Sequence, residues 1–436
     1  MSLRAVCAAA VVAALVGCGS GVHEPPGSLA PASSPVAAWP NPAASNFSVA
    51  PAVSVPSVTL AYAQHGVALV GVSPIGGGNQ SGQPSTLWMS TDLSHWRDVT
   101  PPASRQPFDG NQYVTFDQAS FLDPSTGWVT TWNSWNLGVA IYRTADGGKS
   151  WTTAPAGSGH GDHAGDADWI QLLTPTVAFD ENIAATAPHM SLSVSTDAGA
   201  SWHELYTDRP DSGQTLPPSP FELPMVFTSQ LRGFAASAIP PAEGQVDEGF
   251  FRTTDGGVSW TAATPPSARS ATCPPGDRHP ADGSTVECLF ALPSFSDATH
   301  AVLATEVVDG AHATVGFDST SDGGSSWRLT TTVDVPISTV PADSYPKSYA
   351  LVATPSSRSW WIVSSGDGGV TTRVTADAGQ HWSVTQSDVL GAPVTVGALD
   401  ATHALLETDI TTSNGTTSAV YVTSDAGRSW KTPFGG

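Results

Sequence analysis

The chain reads as an all-β protein, a single seven-bladed β-propeller of four-stranded antiparallel blades with a Trp-bearing hairpin turn in each blade. Three observations predict it. An eight-residue pattern, Ser/Thr-x-Asp-x-Gly-x-x-Trp, recurs along the sequence. The recurrence has a mean interval of about 55 residues, in or just above the range of blade and solenoid repeats. Within each interval, short apolar alternations of period two are separated by turn residues, and no helical periodicity of useful length appears.

The six full copies are Thr144–Trp151, Ser195–Trp202, Thr253–Trp260, Thr320–Trp327, Thr375–Trp382 and Thr423–Trp430. A seventh, Ser90–Trp96, is one residue shorter and lacks the glycine. Its aspartates are Asp92, Asp146, Asp197, Asp255, Asp322, Asp377 and Asp425, and its tryptophans Trp96, Trp151, Trp202, Trp260, Trp327, Trp382 and Trp430. Asp and Ser/Thr oxygens can accept backbone N–H groups inside a tight turn. Glycine there takes a positive φ without a Cβ clash, and the Trp folds back as an apolar plug over the hairpin. Seven of the 15 tryptophans fall in these turns, which marks them as a structural device.

Residues 1–17 pair an early Arg4 with a short apolar run, the make-up of a secretion signal that is too short to span a bilayer. Leu15-Val16-Gly17-Cys18 resembles a bacterial lipobox, which implies cleavage before Cys18 and acylation of its thiol. The chain is then expected outside the cytoplasm, anchored to the cell membrane by lipid alone. Residues 18–55, rich in Pro, Ala, Ser and Gly, read as a disordered tether. The propeller is expected over 56–436, as a monomer. Blades built from contiguous sequence are the first reading; an offset of one strand, drawn from residues 40–55, stays open.

Each repeat has the same order. An alternating strand is followed by a turn and a second strand, as at Ser125-Thr-Gly127-Trp and Ala401-Thr-His403-Ala. The motif-bearing strand and a short fourth strand complete it. With the motifs at one end, the remaining connections gather at the other. Long irregular insertions are expected there at 73–85, 154–168, 206–222, 239–249, 264–286, 307–316 and 333–347. Long loops on a rigid scaffold are where function concentrates.

The net charge of −22, from 16 basic and 38 acidic residues, argues against nucleic acid or an anionic lipid surface as a partner. A protein or glycan at the loop face is the expected partner, and no cofactor is expected. The cluster His160, Asp162, His163, Asp166 and Asp168 leaves a divalent cation open, although its spacing matches no familiar calcium or zinc pattern. Trp132 and Trp135 could offer aromatic faces to a ligand or pack against a neighbouring blade; Arg269 and Arg278 are loop cations. At least one of Trp360 and Trp361 is expected to face core. With Cys7 removed and Cys18 acylated, Cys273 and Cys288 are the two thiols left in an exported chain, so they are expected to pair.

The repeat resembles the BNR or Asp-box repeat of sialidases, sortilin, xyloglucan-degrading endoglucanases and, most of all, photosystem II stability/assembly factors. That resemblance implies that the Asp box joins the third and fourth strands, on the face opposite the ligand site, so its aspartates are structural. It does not fix function, because the same propeller carries hydrolases, receptors and assembly factors. The Arg-Ile-Pro type of signature of sialidases is missing ahead of the first box, and Tyr345 and Tyr349 are nucleophile candidates by elimination alone. A non-catalytic binding or assembly scaffold is therefore the expected function, with a glycoside hydrolase using loop carboxylates as the alternative.

Overall fold

The computed structural model describes residues 57–73, 84–105, 114–133, 138–154, 169–184, 189–207, 225–236, 250–263, 265–267, 286–309, 312–336, 350–366, 369–412 and 415–433. They form seven antiparallel sheets in a ring, with strands hydrogen-bonded in sequence order in every sheet but the fifth. Blade 1 holds β1 (Ser57–Gln64), β2 (Val67–Ser73), β3 (Thr86–Ser90) and β4 (Arg97–Asp98). Blade 2 holds β5 (Val114–Phe121), β6 (Gly127–Asn133), β7 (Gly138–Thr144) and β8 (Thr152–Ala154). Blade 3 holds β9 (Trp169–Leu172), β10 (Ala178–Ala184), β11 (His189–Ser195) and β12 (His203–Thr207). Blade 4 holds β13 (Met225–Phe227), β14 (Gly233–Ala236), β15 (Phe250–Thr253) and β16 (Thr261–Ala263). Blade 5 holds β17 (Val286–Phe290), β18 (Ser294–Phe295), β19 (Ala301–Asp309), β20 (His312–Thr320) and β21 (Arg328–Pro336). Blade 6 holds β22 (Ala350–Ala353), β23 (Trp360–Gly366), β24 (Gly369–Thr375) and β25 (Ser383–Ser387). Blade 7 holds β26 (Ala392–Ala398), β27 (Ala404–Thr412) and β28 (Gly415–Thr423).

Two blades depart from four strands. In blade 5 both β17 and β18 pair with β19, so they are one inner strand interrupted around Pro293, which has no N–H to give a ladder. Among the described residues the fourth position of blade 7 is a single bridge, Val422 to Lys431. The 307–316 insertion expected from the sequence is instead a long hairpin, with β19 and β20 in register from Ala301–Thr320 to Asp309–His312. Likewise β21 extends to Pro336, so the start of the expected 333–347 insertion is strand.

The core lies between blades rather than within them. Among the described residues eight apolar clusters span the seven interfaces, two of them between blades 6 and 7; others are Val67, Leu69, Phe116 and Phe121 between blades 1 and 2, and Trp128, Ile141, Ile170 and Leu172 between 2 and 3. The ring closes in the same way. Ala63, Val70, Trp88 and Trp96 of blade 1 pack on Leu405, Val420 and Val422 of blade 7. Because a blade has a neighbour on each face, both faces of its middle strands are interior. Trp360 and Trp361 are consecutive and point to opposite faces, yet both are 0% exposed.

The repeated motif occupies the third-to-fourth strand turn of every blade, and its side chains close it. In blades 2 to 7 the Ser/Thr hydroxyl donates to Asp Oδ1 at 2.7–2.9 Å and accepts the N–H of the motif glycine at 2.7–3.1 Å. Asp Oδ1 also accepts the N–H of the residue before the Trp at 2.9 Å. In five blades that residue is a serine whose hydroxyl donates to Oδ2 at 2.5–2.6 Å. Blade 1 replaces it with His95 and dispenses with the glycine, Leu93 adopting φ 58°.

These bonds hold the carboxylates ionised. Ser150, Ser201 and Ser326, by hydroxyl and then backbone, bring Asp146, Asp197 and Asp322 down from 3.8 to about 2. For Asp255 and Asp425, burial pushes upward but is outweighed by bonds from Ser259 and Ser429, so both are also lowered. A depressed folded pKa contributes stability that is complete above the unfolded value and is lost as pH falls through the folded one. Two carboxyl groups have the opposite sign. Burial raises Asp318, and burial reinforced by Asp409 raises Glu407 to about 7, so each favours the fold more as pH falls. Stability measured by urea titration of Trp fluorescence is therefore expected to fall steeply between about pH 4 and pH 2. A stability flat through that window would mean that the turn carboxylates contribute nothing.

Candidate functional site at the blade 6–7 cleft

The two ends of the propeller are built differently. At the motif end, the first-to-second strand turn carries its own side-chain device in blades 2 to 7. Asp123, Thr174, Ser229, Asp297, Ser356 and Asp400 each accept the N–H groups of the residues two and three positions on. The carbonyl two residues after each then accepts an N–H from the motif of the same blade, at 2.8–3.0 Å, as from Gly147 to Ser125 and from Ala426 to Thr402. Both turns of a blade are thereby locked together. Neighbouring blades are bolted at the same end. Arg97 donates to the Gly147 carbonyl, Arg143 to that of Ala198, and Thr385 Oγ1 to that of Gly427 at 2.9 Å. The motif tryptophans sit in the seams. Trp202 packs edge-on against Trp128 of the preceding blade, and Trp327 against Phe234. The expected plug is thus a plug between blades, which the hairpin reading alone did not show.

At the opposite end lie the second-to-third strand connections and the links between blades. Within that set, Ser85 Oγ donates to Ser73 Oγ at 3.0 Å, clamping the ends of the 73–85 insertion. Ser267 is buried and gives its N–H and hydroxyl to Asp318, so the first residues of the 264–286 insertion are part of the fold rather than of a free loop. Cys288 is buried on β17 and disulfide-bonded. Cys273, Trp135, Arg269, Arg278, Tyr345, Tyr349 and the cluster His160, Asp162, His163, Asp166 and Asp168 lie outside the described residues, as does Cys18. Trp132 is half-buried on β6, in register with Thr115 and Val139.

The site that the described residues do assemble was not anticipated. A cleft of about 580 Å³ lies between β25 and blade 7, lined by Ser387, Asp388, Val389, Tyr421, Arg428 and Trp430 among others. Two polar atoms in its wall, Ser387 Oγ and Trp430 Nε1, are shielded from solvent and have no hydrogen-bond partner. The Tyr421 hydroxyl is held by the Leu390 backbone, and burial raises it. Val384 and Leu390 stand exposed close by in sequence, at 60% and 66%. Apolar side chains with one guanidinium and one carboxylate in an open cleft suit an extended chain or a sugar better than an ion. A sequence signal existed: the last motif is followed by Lys431-Thr432-Pro433, and proline cannot continue a ladder.

On the other face of blade 7, Glu407 and Asp409 alternate along β27 towards blade 1. Ser418 donates to Asp409 Oδ1 at 2.9 Å. This is the one place among the described residues where a carboxyl group is poised near neutrality.

No family model matches the chain, and no curated protein does. Solved structures are similar to it over most of its length. YCF48 bound to D1 peptide is 14% identical and covers 81% of this chain and 89% of its own, at a TM-score of 0.42. YCF48 from Cyanidioschyzon merolae is 15% identical over 86% of this chain and 95% of its own, at 0.43. The GH74 enzyme of Niastella koreensis is 11% identical over 86% and 67%, at 0.45. At such identities no role carries over from them.

Proposed function

We propose that this protein is an exported, lipid-anchored propeller that acts as a binding or assembly scaffold for a protein or glycan of the cell envelope. The reading rests on the division between the ends. One end uses its recurrent Asp, Ser/Thr and Trp side chains to lock turns and seams, and each of those aspartates accepts hydrogen bonds from within its own turn. The insertions are all at the other end, which leaves that end to vary around a rigid frame. Acylation at Cys18 would anchor it, and a Cys273–Cys288 bond would fix the base of the insertion before β17.

A chemical cross-linking pull-down from native envelope, with the full chain as bait, tests the reading. Saturable recovery of one partner, lost when residues 268–272 are replaced by a Gly/Ser spacer, supports it. Turnover of sialosides, β-glucans or aryl glycosides by the purified chain overturns it. The hydrolase alternative has one observation of its own in Glu407, whose pKa near 7 suits a general acid. If that alternative holds, Glu407→Gln should reduce turnover by about 10²-fold or more while leaving the thermal transition in place.

A further inference from the structure

Six of the seven motif turns press a glycine into the preceding blade. A Cβ on Gly148, Gly199, Gly257, Gly324, Gly379 or Gly427 would stand 2.2–2.9 Å from a side chain of the blade before it. Blade 1 is the exception. Its turn, Ser90–Trp96, is one residue shorter, and the residue it lacks is that glycine. Leu93 takes the position before it, with φ 58° where the other blades have 60–80°, and Ser94 takes the position after it. A cavity of about 280 Å³ lies at this place, between the turn of blade 1 and blade 7. Asp92, Leu93 and Ser94 form one wall, and His403, Ser424 and Lys431 belong to the other. The shortened motif therefore leaves room at the seam that closes the ring.

The walls carry distinct chemistry. Val422 and Lys431 exchange both backbone bonds, at 2.8 and 3.0 Å, and the side chains of such a pair share one face. Val422 is packed with Trp88, Leu93 and Trp96 of blade 1, so Lys431 faces the blade 1 turn as well. His403 is fixed by Asp400, whose ionised carboxylate can only accept. The imidazole proton is therefore on Nδ1, 2.9 Å from Asp400 Oδ2, and Nε2 is left as an acceptor. Asp92 Oδ1 accepts the N–H groups of Ser94 and His95 at 2.9 and 2.8 Å, which fixes that carboxylate in its wall. Leu93 and Val422, both buried, supply an apolar floor. One ammonium, two acceptors and an apolar floor in a space of this size match a small molecule with an anion at one end and hydroxyl groups at the other.

We propose that this cavity binds a small hydroxylated carboxylate, of the size of a hydroxy acid or a single sugar acid. Its carboxylate lies on Lys431, and its hydroxyl groups donate to His403 Nε2 and Asp92. The ligand bridges blades 1 and 7 and so holds the ring closed. The site is at the motif end, whereas the proposed function assigns the partner to the insertion end, and neither reading depends on the other.

The test is a titration of the full chain with D-glucuronate, read as the shift in Tm. A saturable rise of a few degrees is expected, because a ligand that binds only the folded ring stabilises it. Acetate lacks the hydroxyl groups and D-glucose the carboxylate, so each should need at least about tenfold more for the same shift. Lys431→Met, which keeps the backbone bridge to Val422, should remove the response. Lys149→Met, in the motif turn of blade 2, should leave it intact. Inserting a glycine between Leu93 and Ser94 restores the full-length motif; it should fill the cavity and remove the response, with a ligand-free Tm no lower than that of the parent chain. No saturable shift with D-glucuronate would overturn the proposal, as would an equal shift with acetate or D-glucose. A response that survives Lys431→Met or the inserted glycine would place the ligand elsewhere and overturn it too.

Discussion

Replacing Gly324 by alanine is expected to cost about 2–5 kcal/mol of folding stability, from a left-handed backbone penalty and an overpacked seam. Gly324 has φ 78°, and a Cβ there would overlap the ring of Phe234 in the preceding blade. The ring cannot retreat, because it is stacked on Phe250 at 5.5 Å and Phe295 at 5.7 Å and capped edge-on by Trp327. The adjacent Gly323 supplies the control. It has φ 70°, yet a Cβ would meet nothing closer than 3.2 Å. Moreover, Ala198, Ala378 and Ala426 occupy the same motif position in other blades with φ 60–62°. Gly323→Ala should therefore cost only about 1–2 kcal/mol. Urea denaturation of the two variants reads the difference directly. Equal losses would mean that the motif glycine answers to backbone conformation alone and that the close approach of blades adds nothing.

The second large effect is expected at the tryptophan pair of blade 6. Trp360→Ala and Trp361→Ala should each cost about 3–5 kcal/mol, since both rings are fully buried. They should do so at different seams. Trp360 stacks on Phe317 of blade 5 at 4.6 Å and 12°, whereas Trp361 meets Trp430 of blade 7 at 6.5 Å and 66°. Phenylalanine separates them further. Trp361 Nε1 donates to the Asp400 carbonyl at 2.8 Å, while Trp360 Nε1 has no partner. Trp361→Phe should then lose about 1 kcal/mol more than Trp360→Phe. The reverse order would show that the indole bond is not worth what its geometry suggests.

The residue before each motif tryptophan carries a pattern of its own. It is Ser or His in all seven copies, at 95, 150, 201, 259, 326, 381 and 429. Only the folded turn explains why, since that residue supplies both the N–H and the side-chain partner that hold the ionised carboxylate. The Asx and Ser/Thr turns at Asp123, Thr174 and their counterparts were visible as turn signals, but not as partners of the motif in the same blade.

Sequence by itself determined the number of blades, the order of strands within each, and the place of the motif between third and fourth strands. Those features are local: a turn is specified by residues within eight positions of one another, and a repeat shows itself by recurrence. Tertiary structure alone decided the rest. That both faces of a blade are interior, that motif glycines and tryptophans belong to the seam with the preceding blade, and that blade 1 closes on blade 7 through Trp96 are contacts between residues some 50 to 330 positions apart. The blade 6–7 cleft arises in the same way. Its walls come from β25, β28 and the last turn, and no period in the sequence brings Ser387 beside Tyr421 and Trp430 until the ring has formed.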